Sequence, residues 1–340
     1  MTSRSARQPA PSRDRRGLVS GPRASDTRVR TVFLGSGGFG RASLRRLEDH
    51  PEVQLVGVVT APARPAGRRQ RPTSSVIHDV AEELGIQTIL TPERLRAPAS
   101  IDTVLALEPD LFVLADYGQI VPAALLEVRH GALNLHPSLL PRHRGATPIQ
   151  AAILAGDDEA GVTLMRMDTG LDTGPIVAQE QITLDGVETA PRLEAELEMM
   201  ADHLLDRSLG PWIRGELEAR PQPEDGATLT RPLRREDGRL DPSRLAHELW
   251  RQVRAFQPWP GSYVDTPMGR LVIWKSSVGP LVGGTAGRFE PDGLDTADGR
   301  LLLHEVQPAG GNRMSWEAFV RGHPGIVGAN VIPGGVTRLR

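Results

Sequence analysis

The sequence predicts an α/β protein in two parts: a Rossmann-like N-terminal domain with a mostly parallel sheet, and a small C-terminal β-barrel domain of the OB-like kind. Short apolar runs alternate with helix-like stretches over residues 28–219, as in successive βαβ units. A glycine-rich turn follows the first of these runs, as in nucleotide-binding sheets. Beyond residue 233 short apolar runs are separated by Gly- and Asp-rich turns, which favours a small barrel.

The elements of the first domain follow from these runs and from the residues that end them. The predicted strands are residues 29–34, 53–59, 88–90, 111–115, 132–136, 162–167 and 176–182. The predicted helices begin near residue 41 and cover residues 76–84, 148–155 and 190–213. Thr147 before Pro148 is typical of an N-cap and first helical position. Gly85 and Gly156 end their helices because glycine adopts the left-handed conformation without strain.

In the C-terminal domain, Asp241 and Pro242 predict the start of a helix that runs to about residue 254. Residues 271–274 and 301–306 are its clearest predicted strands. The whole chain divides into a disordered basic tail (1–27), a catalytic domain (28–219), a linker (220–232) and a C-terminal domain (233–337).

Composition narrows the function classes. The chain has 340 residues and no run near the roughly 18 apolar residues of a membrane span, so we expect a cytoplasmic protein without a membrane partner. The absence of cysteine excludes disulfides, thiolate nucleophiles and Cys-ligated zinc, and the nine histidines lack paired metal spacing, so no metal is expected. A formal net charge of -2 argues against general affinity for nucleic acids, DNA included, although local basic patches matter more than the sum.

Two polar side chains lie at the end of the fifth predicted strand. Asn134 and His136 are two positions apart and therefore share one face of that strand. Pro137 and Pro141 follow, so the pair should lie at the mouth of a loop, where α/β proteins build their sites. Taken singly, a strand-end histidine is more often structural, and an asparagine is usually a turn former.

A carboxylate can be brought beside this pair. The sixth predicted strand runs into a turn that contains Asp168 and Asp172, with Gly170 and Gly174 to allow unusual backbone angles. An aspartate in such a turn usually just accepts backbone hydrogen bonds, so its spacing from the amide and imidazole is what makes it a candidate.

The combination resembles the signature of the folate-dependent formyltransferases. The matching segments are Asn134-x-His136-x-Ser138-Leu139-Leu140-Pro141, Arg144-Gly145-Ala146 and Leu171-Asp172-Thr173-Gly174. In that family the corresponding Asn, His and Asp are the catalytic trio, which the resemblance carries onto Asn134, His136 and Asp172. It also implies 10-formyltetrahydrofolate as the formyl donor. The folate-binding corner is then expected at Ser138, Leu139, Leu140 and Pro141.

A loop after the second strand carries four arginines and no acid. They are Arg64, Arg68, Arg69 and Arg71. Clustered guanidiniums suit a phosphate backbone, although a solvated charge run is the plain alternative. The loop resembles the RPAGR loop of the family members that formylate methionine on initiator tRNA, which implies initiator Met-tRNA as the partner.

The C-terminal domain resembles that of the same family members in residues 235–241 and 254–260. One departure is visible, since Pro232 stands where a lysine is usual in the family. This chain therefore lacks whatever tRNA contact that lysine makes.

Three other functions compete with this interpretation. Gly35, Gly37 and Gly40 fit the G-x-G-x-x-G fingerprint of dinucleotide oxidoreductases, but the second strand ends in Thr60-Ala-Pro instead of the acid that binds a ribose. A non-catalytic RNA-binding relative is disfavoured by the intact trio. A formyltransferase for an amino sugar or another small amine differs by its C-terminal domain and by whether Arg68 and Arg69 matter for turnover.

Overall fold

A computed structural model describes residues 27–66, 71–280 and 284–333. Residues 1–26 of the predicted tail, together with Arg68 and Arg69 of the arginine loop, lie outside these ranges. Within them, no helix is long and apolar enough to cross a membrane.

The strands and helices alternate through the first two thirds of the chain. The strands are β1 (Val29–Gly35), β2 (Val53–Val59), β3 (Arg64–Ala66), β4 (Arg71–Thr73), β5 (Ile89–Leu90), β6 (Leu111–Ala115), β7 (Ala132–His136), β8 (Arg144–Gly145), β9 (Glu159–Arg166), β10 (Ile176–Thr183), β11 (Leu229–Thr230), β12 (Ser262–Thr266), β13 (Gly269–Val278), β14 (Phe289–Glu290), β15 (Gly293–Asp295), β16 (Arg300–Pro308) and β17 (Met314–Ser315). The helices are α1 (Arg41–Asp49), α2 (Val76–Glu83), α3 (Pro98–Leu105), α4 (Ala123–Leu126), α5 (Pro148–Ala155), α6 (Ala190–Ile213), α7 (Ala246–Ala255) and α8 (Trp316–Gly322).

The central sheet has seven strands in the order β10-β9-β7-β6-β1-β2-β5. Neighbours from β7 to β5 pair in parallel, whereas β9 pairs antiparallel with both β7 and β10. The predicted α/β class with a mostly parallel sheet is therefore confirmed.

The middle strands of this sheet are buried on both faces. In β1, Phe33 packs in one apolar core while Val32 and Leu34 pack in a second core on the opposite face. Strand β6 alternates in the same way, with Val113 in the first core and Phe112 in the second. Side chains alternate along a strand, so a run without polar residues produces a strand that is covered by helices on both sides.

The C-terminal strands form a separate antiparallel sheet in the order β12-β13-β16-β15-β14, with β17 paired to β16. Its core contains a stack of aromatic rings in which Trp316 lies between Phe289 and Phe319, at centroid distances of 5.8 and 5.7 Å. Helix α7 packs on this sheet and also on α5 of the first part, so the two parts are in direct contact.

One predicted helix start and one predicted helix cap need correction. The helix after Asp241 begins only at Ala246, because the Asp241 carboxylate accepts hydrogen bonds from the N–H and hydroxyl of Ser243 and forms a local turn. The first amide of α7 instead donates to Asp298 at 2.8 Å. Helix α5 starts at Pro148 as predicted, but the Thr147 hydroxyl donates to the Arg231 carbonyl and does not cap the helix.

Candidate active site

Three loops meet at one edge of the central sheet. Gly35, Ala115 and Leu135 end neighbouring parallel strands and are aligned in register, Gly35 with Ala115 and Ala115 with Leu135. The glycine-rich turn, the loop after β6 and the loop after His136 therefore leave the sheet side by side. His136, the predicted end of a strand with a polar pair, lies at this edge.

Asn134 and His136 both lie in β7, as predicted, but their surroundings differ. His136 is only 4% exposed, whereas Asn134 is half-buried. Within the described ranges the Asn134 amide makes no hydrogen bond. An uncommitted amide at a partly open position is free to bind a ligand.

Oxygen atoms surround both ring nitrogens of His136. The Ser138 hydroxyl donates to the Arg142 carbonyl at 2.7 Å, so its oxygen must accept from His136 Nδ1, which lies 2.9 Å away. On the other side of the ring, Nε2 faces the Gly145 carbonyl at 3.4 Å and the Asp172 carboxylate at 3.3 Å. Both ring nitrogens of His136 therefore face oxygen atoms that can accept a hydrogen bond.

Asp172 reaches His136 from the opposite edge of the sheet. Since β9 is antiparallel to β7, its last residue, Arg166, is paired with Leu133 near the start of β7. The loop of residues 167–175 must then rise along β7 by about three residues, or roughly 10 Å, to bring Asp172 to His136. The position of the Asp172 carboxylate thus depends on the contacts that hold this loop.

Several contacts fix that loop. One Asp172 oxygen accepts from the Gly145 N–H at 2.8 Å. Asp172 has a φ of 51°, a left-handed conformation that an aspartate adopts at a cost. A side chain at Gly174 would place its Cβ 1.9 Å from the Arg166 carbonyl oxygen, so the close return of the chain requires glycine there.

The same contacts set the charge of Asp172. Burial alone would raise the pKa of Asp172, but the hydrogen bond and charge of His136, the Gly145 N–H and the nearby Arg144 hold the pKa below its usual value. The Asp172 carboxylate is therefore ionised where it lies 3.3 Å from Nε2 of His136.

The other aspartate of the turn is used differently. Asp168 is exposed, and its carboxylate accepts from the Gly170 N–H at 2.9 Å and from the Thr173 hydroxyl at 2.8 Å. It braces the loop from within and does not contact His136.

The Ser138 to Pro141 corner follows β7 directly. The Ser138 and Leu140 residues are only 3% exposed, and the Leu140 N–H donates to Thr163 Oγ1 at 3.1 Å. Leu139 and Pro141 are half-buried. The Ser138 hydroxyl lies between His136 Nδ1 and the Arg142 carbonyl, a contact that the sequence pattern alone did not predict.

The glycine-rich turn does not resemble a dinucleotide cradle. The N–H groups of Ser36 and Gly37 donate to the Asp116 carbonyl, and a Cβ on Gly37 would lie 1.5 Å from an Asp116 carboxylate oxygen. At the start of α1, the Ala42 N–H donates to Glu198 at 3.3 Å. Carboxylates thus stand where a pyrophosphate would bind, which disfavours the oxidoreductase alternative.

The described part of the arginine loop is a short hairpin of β3 and β4. Arg64 and Arg71 are exposed, and Arg64 pairs with Glu93 at 2.7 Å between two side chains that are each more than half exposed. An exposed pair of this kind contributes little to stability, so the Arg64 guanidinium is accessible to a competing anion.

The segment predicted as a linker contains a residue that sequence reasoning missed. Gln222 Nε2 donates to the carbonyl oxygens of Asp172 and Gly174 at 2.8 and 2.7 Å. Its Oε1 accepts two hydrogen bonds from Arg144, at 3.0 and 2.7 Å. The only signal in the sequence is a glutamine between two prolines, which does not reveal its partners.

One other cluster has metal-ligand character. Ligand atoms of His78, Asp79 and Glu82 on α2 lie within 4.8 Å of one another. Two of the three residues are exposed, and exposed acidic groups of this kind are common without a metal ion.

Comparisons with known proteins agree with this geometry. The formyl transferase family model matches residues 29–209, and the formyl transferase C-terminal domain model matches residues 232–324. A methionyl-tRNA formyltransferase from Myxococcus xanthus is 38% identical over 302 residues, which cover 87% of this chain and 96% of that protein.

Two solved structures share the fold. An N-formyltransferase from Helicobacter canadensis, in complex with folinic acid and dTDP-3-aminofucose, aligns with a TM-score of 0.59 at 18% identity over 81% of this chain and 98% of its own. HypX from Aquifex aeolicus, in complex with tetrahydrofolic acid, aligns with a TM-score of 0.58 at 17% identity over 86% of this chain. The chain spans about half of HypX, 47% of its length.

Proposed function

This chain belongs to the methionyl-tRNA formyltransferases, and we propose that Asn134, His136 and Asp172 carry out its transfer of a formyl group to the α-amino group of methionine on initiator tRNA. The observation that carries the assignment is the meeting of the three side chains at one edge of the sheet. An uncommitted amide, a buried imidazole between acceptors and an ionised carboxylate are the groups that formyl transfer needs.

The reaction requires stabilisation of negative charge on the formyl oxygen. When the methionine amine attacks the formyl carbon, the carbonyl oxygen becomes an oxyanion. In this proposal the Asn134 amide and the His136 imidazolium donate to that oxygen. Fixed donors are effective here because they need no reorganisation as the charge develops.

A proton must also move from the attacking amine to the departing nitrogen of the donor. Asp172 keeps His136 charged and oriented, and its free oxygen can order a water that relays the proton. Ser138 supports the same geometry from Nδ1 of the ring.

The formyl donor of the family is folate-derived, and we assign 10-formyltetrahydrofolate to this site. The corner of residues 138–141 would bind it, chiefly through the backbone and the half-buried Leu139 and Pro141, since the Ser138 hydroxyl is already engaged. The exposed Arg64 and Arg71, together with Arg68 and Arg69 of the same loop in the sequence, would contact the tRNA phosphates.

The decisive experiment measures transfer of a labelled formyl group from 10-formyltetrahydrofolate. Initiator Met-tRNA is the test substrate, and free methionine and a dTDP-amino sugar are the controls. We expect transfer to Met-tRNA alone. Transfer to the amino sugar without transfer to Met-tRNA would overturn the assignment.

A further inference from the structure

The segment of residues 220–232 contacts two loops of the proposed site, the aspartate loop (residues 167–175) and the loop that contains Gly145. Arg220 and Ile176 exchange two backbone hydrogen bonds, at 2.7 and 2.8 Å, which anchors the segment beside the end of the aspartate loop. Farther along, β11 pairs in parallel with β8, next to Gly145. The segment therefore lies against the loop that presents Asp172 and against the loop that supplies its N–H donor.

Gln222 joins the segment to the aspartate loop by hydrogen bonds. It is half-buried, whereas Pro221 and Pro223 on either side are exposed. Its amide nitrogen has two protons, and the carbonyls of Asp172 and Gly174 accept both. The hydrogen bond to the Asp172 carbonyl helps to hold the backbone of Asp172 in its left-handed conformation, with a φ of 51°.

The oxygen of the same amide is held from the other loop. Arg144 donates to it through both Nε and Nη2, which fixes the orientation of the amide so that the nitrogen must face the aspartate loop. Arg144 directly precedes Gly145, whose N–H binds the Asp172 carboxylate. Gln222 thus closes a ring of hydrogen bonds that joins Arg144, Gly145 and Asp172.

We propose that Gln222 is a positioning residue for formyl transfer, which clamps the aspartate loop so that the Asp172 carboxylate stays against Nε2 of His136. The inference rests on the function proposed for the trio. It assigns a task in the reaction to the segment between the two domains, which otherwise serves only as a connection.

The main test is Gln222→Met, which keeps the length of the side chain and removes its hydrogen bonds without adding charge. We expect kcat to fall by about 10- to 100-fold with little change in the KM for Met-tRNA or the folate, because loss of position at the reacting groups affects the chemical step. The acid limb of the rate profile should move to higher pH, since Asp172 loses the contacts with His136, Gly145 and Arg144 that lower its pKa.

A second variant separates the two halves of the clamp. Gln222→Glu can still accept from Arg144 but cannot donate to the two loop carbonyls. We expect it to lose kcat nearly as severely as Gln222→Met. Activity retained in Gln222→Glu would mean that only the Arg144 contact matters, and the proposal would fail.

The matched control is Gln252→Met. Gln252 in α7 also donates to two backbone carbonyls, those of Asp237 and Arg239, each at 3.1 Å. We expect this variant to lower the melting temperature and to leave the pH profile in place. A Gln222→Met enzyme that behaves in the same way would reduce Gln222 to a structural role and overturn the proposal.

A readout without turnover distinguishes this proposal from the assigned function. The Asp172 carboxyl can be titrated by NMR in protein labelled at aspartate Cγ, with Asp172→Asn identifying the signal. Its pKa should rise in Gln222→Met and not in Gln252→Met. An unchanged pKa refutes the clamp even if the enzyme is active, whereas a raised pKa in a protein that transfers no formyl group supports the clamp and refutes the function.

Discussion

The two loops that the sequence marked as functional are built in opposite ways. The aspartate loop is tied to the rest of the molecule through Asp172, Gly174 and Gln222, and the side chain of Asp172 is only 16% exposed. The arginine loop is a small hairpin whose Arg64 side chain is 67% exposed and makes one surface ion pair. Groups that move protons need fixed distances, whereas long cations that bind a flexible polyanion act through charge and access. Substitutions in the first loop should therefore change the rate of the chemical step, and those in the second loop should change substrate affinity.

The largest effect is expected for His136→Ala. It removes the donor to the oxyanion and the partner of Asp172, so we expect kcat to fall by about 1000-fold. The measurement is single-turnover formyl transfer with saturating Met-tRNA. His304→Ala, an exposed histidine bonded to Ser277, is the control for general effects on folding.

The next effect tests the choice between two aspartates. Asp172→Asn keeps the shape of the side chain but removes the charge that favours imidazolium, and we expect a loss of roughly 100- to 1000-fold in kcat. Asp168→Asn should change kcat less than about twofold, since Asp168 does not contact His136 and the asparagine oxygen can still accept from the Gly170 N–H and the Thr173 hydroxyl. The reverse ranking would mean that the wrong carboxylate has been assigned.

The pH dependence of the wild type follows from the same carboxylate. The pKa of Asp172 is held below its usual value, so the ionised form persists to lower pH than for an ordinary aspartate. The stability that this carboxylate contributes is present above the unfolded pKa and is lost as pH falls through the lowered folded value. We therefore expect the unfolding free energy, measured with urea from pH 6 downward, to decline more steeply in wild type than in Asp172→Asn once the pH falls below the pKa of an unfolded aspartate.

Asn134→Ala should have a smaller effect than His136→Ala, because it removes one neutral donor. We expect a loss of about 100-fold in kcat with unchanged binding of both substrates. Calorimetric unfolding should be little altered, since the amide makes no hydrogen bond in the described part of the protein. Turnover close to the wild-type rate would remove Asn134 from the trio.

The smallest effect is expected in the arginine loop. Arg64→Ala with Arg71→Ala should raise the KM for Met-tRNA a few-fold and lower its salt dependence, by about 0.7 to 0.9 in the log–log slope for each phosphate that is no longer neutralised. The folate KM and kcat should not change. Arg192→Ala on α6, an exposed ion-paired arginine, is the matched control. Equal behaviour of the two variants would leave Arg64 and Arg71 without a role in tRNA binding, and the same measurement on Arg68→Ala with Arg69→Ala would then decide whether the loop has one.

Local sequence patterns predicted where the elements around the candidate site end. Strand β7 ends at His136 because the apolar run ends there and Pro137 follows, and Gly156 ends α5 with a φ of 69°, as expected for a left-handed C-cap. Chain direction is not encoded in such patterns. The antiparallel course of β9, which makes the aspartate loop rise from the far edge, could not be predicted from its apolar run.

Polar contacts between residues distant in sequence could not be predicted either. The Pro-Gln-Pro run of the linker has the composition of a loop, and nothing local indicates that Gln222 binds the carbonyls of residues 50 and 48 positions earlier. The predicted start of α7 was wrong for a related reason. The first N–H of that helix donates to Asp298, which is distant in sequence, and not to the nearby Asp241.

The parallel pairing of β11 with β8 has a consequence for how such proteins can be recombined. Under the role proposed for Gln222, residues up to Thr230 belong with the site of the first domain, although they lie beyond the family match that ends at residue 209. A gene fusion that exchanges C-terminal units between relatives inherits a working site only when its crossover falls after this strand. A crossover at the end of α6 would keep all three catalytic side chains and replace the segment that holds one of them. The segment that must be kept together is thus longer than the compact domain that contains the three proposed catalytic side chains.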